Sequence, residues 1–301
     1  MAARATRSAS RGSASSNSDD GSRCLLLALS HDELGVIFDG LADPLQPVVA
    51  IALSSTCLGL RTPLEPALEV LKERHDRAVA LCRKAETSCA QLRDAEGLLW
   101  FNERLTADDM ATLAMILLTN GLPRLRELDL SGNFLGDAGV QALCEGLGRG
   151  TAPSLSNLKL QENRFGPAGA EALAATLRRG AMPKLDLLDI GINPSIGNQG
   201  VAALAAPLRK LPALRIMQLG YCGIGDEGVA SLVDNLGKDD FKALEMLLLH
   251  GSKIGDVGAA KIVAALDAGG LPKLIGCPLS NDPASTRAVQ AVENALAKRS
   301  Q

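Results

Sequence analysis

The chain has 301 residues, with 31 Lys and Arg against 34 Asp and Glu for a formal net charge of -3, which suits one elongated body or two small domains. Balanced charge without a basic block interleaved with aromatics argues against a nucleic-acid partner, and no apolar run approaches the roughly 18 residues of a membrane span. One Trp, one Tyr and five Phe leave an aliphatic core, which suits thin stacked layers better than a bulky globule.

Residues 1–23 open with MAARATRSASRGSASSNSDDGS, which lacks large apolar side chains and is expected to stay disordered. Arg4, Arg7 and Arg11 precede the first acid, Asp19, so an organelle transit peptide is the alternative; no charged start leads into an apolar signal-peptide core. Residues 24–62 read as three short helices. Ser30 and Glu33 form a capping box leading into Leu34, Ile37 and Leu41, and Asp43-Pro44 then breaks the chain. With Leu29, Leu53, Cys57 and Arg61, these signals resemble the F-box in their order; Ser30 stands where that family has Pro, and Gln46-Pro47 departs from its Asp-Leu. The resemblance implies docking on the adaptor subunit of a cullin-RING ubiquitin ligase through Leu29, Glu33, Leu34, Ile37, Leu41 and Pro44. A plain helical cap satisfies much of the same pattern.

Over 63–96 one long amphipathic helix is expected, with Leu64, Leu68, Leu71, His75, Ala78, Cys82, Ala85, Cys89 and Leu92 on a heptad seam. Its small residues and His75 suit a helix lying against the first repeat better than a coiled coil.

From 97 to 281 the chain repeats. LRELDLSGNFLGDAGVQALCEGL at Leu125 returns at Leu155, Leu185, Leu214 and Leu244, with weaker copies on either side. Each copy changes from the period-2 pair Leu128/Leu130 to Val140, Leu143 and Leu147 at helical spacing, so it reads as strand, turn and helix. Asp137, Asn198, Asp226 and Asp256 fall at the helix starts as candidate caps, Pro167 being the exception. The strands resemble the LxxLxLxxNxL consensus of leucine-rich repeats, and the GDxG turn resembles the ribonuclease-inhibitor type. The resemblance implies an α/β leucine-rich-repeat solenoid, with a curved parallel sheet inside, helices outside and an all-α N-terminal cap. It also implies a buried ladder of Asn133, Asn163 and Asn193, continued by Cys222 and Ser252. Residues 282–301 close the stack as a capping helix.

Strand residues between the core leucines are expected to face the concave side in columns. Polar residues dominate the early repeats, whereas Leu187, Ile216, Met246 and Leu248, bordered by Gln218, Tyr221 and His250, form an apolar group with a polar rim, the composition of a protein-binding site. Cover by the C-terminal helix, or ordinary exposed apolar surface, are the alternatives.

Catalytic and cofactor motifs are weak. The sequence around Gly223, Gly225 and Gly228 spells G-x-G-x-x-G, but two of these are the repeat's own turn glycines and Asp226 and Glu227 oppose a pyrophosphate. His31, His75 and His250 share no metal-ligand spacing, so no metal or cofactor is expected. Seven cysteines without a CxxC pair suggest reduced thiols in the cytoplasm or nucleus. The resulting expectation is a non-catalytic protein-binding scaffold, with the module order resembling F-box/leucine-rich-repeat adaptors. A GTPase regulator resembling Ran GTPase-activating proteins, or a structural subunit, are the alternatives.

Overall fold

The computed structural model describes Leu26, residues 29–55 and residues 58–299. The expected tail over 1–23 lies outside the described residues, as do Cys24 and Cys57.

Helix α1 (His31–Leu41) begins at the anticipated capping box: the Ser30 hydroxyl accepts from Glu33 N at 3.2 Å, and Glu33 Oε2 accepts from Ser30 N at 2.8 Å. Its buried face is Leu34, Phe38 and Ala42, four residues apart, while Ile37 is half-buried and Leu41 is 36% exposed. Helix α2 (Val48–Ser55) follows the Asp43-Pro44 break. Helix α3 (Leu58–Lys84) then runs through residue 62 without interruption, and a second capping box, Ser88 with Gln91, starts α4 (Cys89–Asp94). The long helix therefore ends at Lys84, short of the expected 96, because Ser88 and Gln91 offer the backbone a fresh N-terminus.

The heptad seam is consumed inside the molecule. Leu60, Leu64 and Leu71 pack with Leu34, Phe38 and Ala50 in a small core, whereas Ala78, Leu81 and Cys82 join the large core of the repeats, where α3 lies against α5 (Ala107–Asn120). The Asp43-Pro44 turn is where the two cores meet. Arg93 of α4 ion-pairs with Asp43 and donates to Gly121 O at 2.9 Å; His75 Nδ1 lies 2.7 Å from Pro44 O; Leu45 inserts into the large core.

Six strands, β1 (Gly97–Leu99), β2 (Glu127–Asp129), β3 (Asn157–Lys159), β4 (Leu187–Asp189), β5 (Ile216–Gln218) and β6 (Met246–Leu248), form one parallel sheet in sequence order. A bridge from Met246 to Gly276 adds a seventh rung. Every crossover passes through a helix: α5, α6 (Gly136–Gly146), α7 (Pro167–Arg178), α8 (Gly197–Arg209) and α9 (Asp226–Val233), with α10 (Asp256–Asp267) after β6. The middle residues Leu98, Leu128, Leu158, Leu188, Met217 and Leu247 are all buried and pack against helix residues such as Val140, Leu173 and Leu204. One strand-helix unit cannot bury both faces, so the ends need covers. Helix α3 lies against the first repeat helix, and α11 (Thr286–Ala297) packs on α10.

Candidate protein-binding site

Two ladders of side-chain hydrogen bonds hold the turns that carry the site. In the first, Asn133 Oδ1 accepts from Leu105 N at 3.0 Å while its Nδ2 donates to the carbonyls of Trp100 and Leu130 at 2.7 and 2.8 Å. Asn163 Oδ1 accepts from Leu135 N at 3.3 Å, and Asn193 Oδ1 accepts from Asn163 N at 2.9 Å, each with its amide nitrogen on backbone carbonyls. All three are buried, so none of these amides is free to act on a partner. Cys222 continues the ladder with its thiol donating to Ile190 O at 3.1 Å, and burial pushes that thiol up to about 12. Ser252 takes the next place with its hydroxyl unpartnered. The sixth member is Asp282, whose Oδ1 accepts from Ser252 N at 3.0 Å and Ile254 N at 3.1 Å. The repeat reading stopped one residue short of it, because the last copy has lost the leucine pattern.

The second ladder corrects the expected caps. Asp137 does not cap its own helix: its Oδ1 accepts from Gly166 N and Gly169 N, the start of the next repeat's helix, at 2.8 and 2.7 Å. Asn198 does the same for Gly225 and Gly228 at 2.6 and 3.2 Å, and Asp226 for Gly255 and Gly258 at 2.8 and 2.9 Å. Asp256 closes the series on Ser285 N at 2.6 Å. A Cβ on Gly258 would stand 2.5 Å from Asp226 Oδ1, so the GDxG signature pairs the acid of one repeat with the second glycine of the next. The amides at the Gly225-Gly228 turn are thus already taken by Asn198, leaving no open cradle for a phosphate.

On the open face of the sheet the strand register places the columns side by side. Leu187 pairs with Ile216 and Ile216 with Met246; Asp189 pairs with Gln218 and Gln218 with Leu248. Leu187, Ile216, Met246, Leu248 and His250 are half-buried, and Tyr221 is 43% exposed. The Tyr221 and His250 rings meet edge to face with centroids 5.4 Å apart. Helix α11 lies on α10, in the helical layer. The early repeats are ionic instead: Lys159 Nζ sits 2.6 Å from Glu127 and 3.5 Å from Asp129, and burial raises the Asp189 carboxyl above its ordinary value.

Beside this patch, on the edge where the strands end, an open groove of about 500 Å³ is lined by Ile192, Pro194, Tyr221 and Lys253 among others. Sequence reasoning found Tyr221 and missed the rest. Ile192 and Tyr221 have φ of 52° and 58°, in the left-handed region where Gly132 and Gly251 stand in equivalent turns. Such a conformation costs a non-glycine residue about 1 to 3 kcal/mol, most for a β-branched one.

The N-terminal candidates divide differently. Leu34 and Pro44 are buried and Leu29 and Ile37 are half-buried, so they are packed rather than presented. The exposed apolar residues here are Val36, Val48, Val49 and Ile51, with Leu41 at their margin. Among the described residues no helix is long and apolar enough to cross a membrane, no cluster of side chains could hold a metal ion, and the cysteines at 82, 89, 144, 222 and 277 are free thiols.

A family model described as Leucine Rich repeat matches residues 122–144, 151–174 and 211–233. A segment of 62 residues, 21% of this chain, is 48% identical to NACHT, LRR and PYD domains-containing protein 5 of Bos taurus, of whose length it spans 5%. The solved structure of the Rad7 and Elc1 complex in yeast aligns over 61% of this chain and 42% of the matched chain, with 17% identity and a TM-score of 0.45. Six parallel strands in sequence order, a helix in every crossover and the matched repeats make the chain from β1 onward a leucine-rich-repeat solenoid.

Proposed function

We propose that this chain is a non-catalytic scaffold that holds a protein partner on its concave sheet and docks a second protein through its N-terminal helices, as the substrate-recognition adaptor of a cullin-RING ubiquitin ligase. The observation that carries the binding half is the lateral register of Leu187, Ile216 and Met246 with Leu248 beside them, an apolar surface on three adjacent strands with Gln218, Tyr221 and His250 at its rim. Strands about 4.8 Å apart make these side chains one contact surface. Replacing Ile216 and Met246 together by Glu buries charge against apolar atoms in any complex and is expected to weaken it by several kcal/mol while the fold persists. Partner affinity measured beside circular dichroism checks this. An unfolded double variant makes the patch internal packing, and a folded one with undiminished binding moves the site elsewhere.

The adaptor half is supported by the exposed Val36, Val48, Val49 and Ile51 on α1 and α2, aliphatic surface left open among the described residues. Because Leu34 is buried, its substitution tests folding, not docking. The variant that tests docking is Val36→Asp with Val48→Asp: co-purification with the ligase adaptor subunit from the wild type, lost in this variant, supports the reading. No co-purification with the wild-type chain sinks it.

A further inference from the structure

We infer that the groove at the strand-end edge of the later repeats binds an extended acidic segment of a partner protein, with an apolar side chain set between two acids. The inference rests on the protein-binding reading above and names the partner's chemistry at a second surface. The rings of Phe101, Phe134 and Tyr221, the exposed aromatics among the described residues, all stand on this edge. Tyr221 and Ile192 are held in left-handed backbone, which turns both side chains outward where a repeat such as β6's places glycine. Pro194 completes the apolar wall, and the one charged residue of the lining is Lys253.

Charge complementarity identifies the occupant. Arg164, Pro194, Gly223 and Lys253 occupy the same turn position in four consecutive repeats, so the apolar stretch has a cation at each end. Neither Arg164 nor Lys253 has an ion pair among the described residues, whereas Lys159, Lys210, Arg215 and Lys261 all do. The Arg164 guanidinium lies over the Phe134 ring, 4.0 Å from its centroid, which holds it in place and leaves its edge open. Glu162 and Glu227 are exposed acids nearby, Glu227 accepting from Asn198 Nδ2 at 2.9 Å; the groove lining itself holds none. Three rungs at about 4.8 Å separate the two cations by about 14 Å, a span that an extended chain crosses in about four residues at 3.3 Å each. In such a chain residues i, i+2 and i+4 point the same way. An acid at i meets one cation, an apolar side chain at i+2 enters the groove against Tyr221 and Ile192, and an acid at i+4 meets the other cation.

The test is a displayed library of random twelve-residue peptides selected on the full chain, followed by affinity measurements of the enriched peptides. The expected result is convergence on acid-x-apolar-x-acid, with affinity falling at least tenfold in Lys253→Glu and in Tyr221→Gly, a change that suits the local backbone and keeps the fold. Circular dichroism confirms folding of both. No enrichment, enrichment without paired acids, or binding unchanged in the two variants overturns the inference. Enriched peptides that bind both groove variants but not the Ile216→Glu, Met246→Glu protein overturn it while leaving the concave-sheet reading intact.

Discussion

Asn163 and Gln161 lie two residues apart and do opposite work. Asn163 is buried with its amide nitrogen on Leu130 O and its oxygen on Leu135 N, so alanine there strands buried backbone groups of the preceding repeat and is expected to cost about 1 to 3 kcal/mol. Gln161 is half-exposed on the concave side, and Gln161→Ala is expected to stay within about 0.5 kcal/mol. Equal melting shifts would refute the repeat register. Asp282 offers the converse experiment. Its Oδ2 is buried without a partner, and burial raises its carboxyl above the ordinary 3.8. Asn193 Nδ2, in the equivalent place, donates to the carbonyls of Leu160 and Ile190. Asp282→Asn would direct the same donor at Leu249 and Leu279 and is expected to stabilise by about 1 to 2 kcal/mol at neutral pH. Because the folded value is raised, the wild-type group contributes most to stability when protonated and loses that contribution as pH rises through its folded value. The advantage of Asn should therefore shrink in acid, and a gain independent of pH would contradict it. The asparagines were legible because three copies align; Asp282 was not, since LIGCPLSN retains too few of the repeat's leucines to extend the register.

At the scale of the element, self-alignment made the strand pairing readable before any coordinates, because copies that share a pattern stack in register and each column then follows. What it could not show is which repeat a capping side chain serves. Asp137 sits at the start of α6 by every local rule, yet its acceptor meets amides about one repeat away, at Gly166 and Gly169. Asp137→Ala is expected to cost about 1 kcal/mol, the usual loss of a helix cap, whereas Asp137→Asn should cost little, since Asn198 already performs the task with an amide oxygen. Thermal melts of the two variants decide it: equal losses would mean that charge, not the hydrogen-bond acceptor, matters. On α1 the sequence pointed to Leu34, Ile37 and Leu41, but the buried face lies one residue further along at the second and third positions. Packing against α3 selected Leu34, Phe38 and Ala42.

For the whole molecule, the Asp43-Pro44 signal announced a chain break but not what the break accomplishes. Past the turn, Leu45 leaves the small helical core and enters the large one, while Arg93 and His75 hold Asp43 and Pro44 from the solenoid side. Nothing in a local pattern distinguishes that leucine from Leu41, which stays exposed; the difference is set by partners about 30 to 50 residues away. In a linear stack, stability passes from neighbour to neighbour, so a fault in a cover weakens the repeat it protects. Leu45→Ala removes buried apolar volume from the solenoid's own core and is expected to cost about 2 to 5 kcal/mol. Leu34→Ala leaves a comparable cavity in the small core, where Phe38, Ala50 and Leu60 are its neighbours. Hydrogen exchange separates the two: Leu34→Ala should quicken exchange over α1 and α2 and spare β1 and α5, whereas Leu45→Ala should quicken exchange in the second half of α3, in β1 and in α5 as well. If both variants loosen the same residues to the same extent, the two cores unfold as one unit, and the N-terminal helices are as much a part of the solenoid as its first repeat.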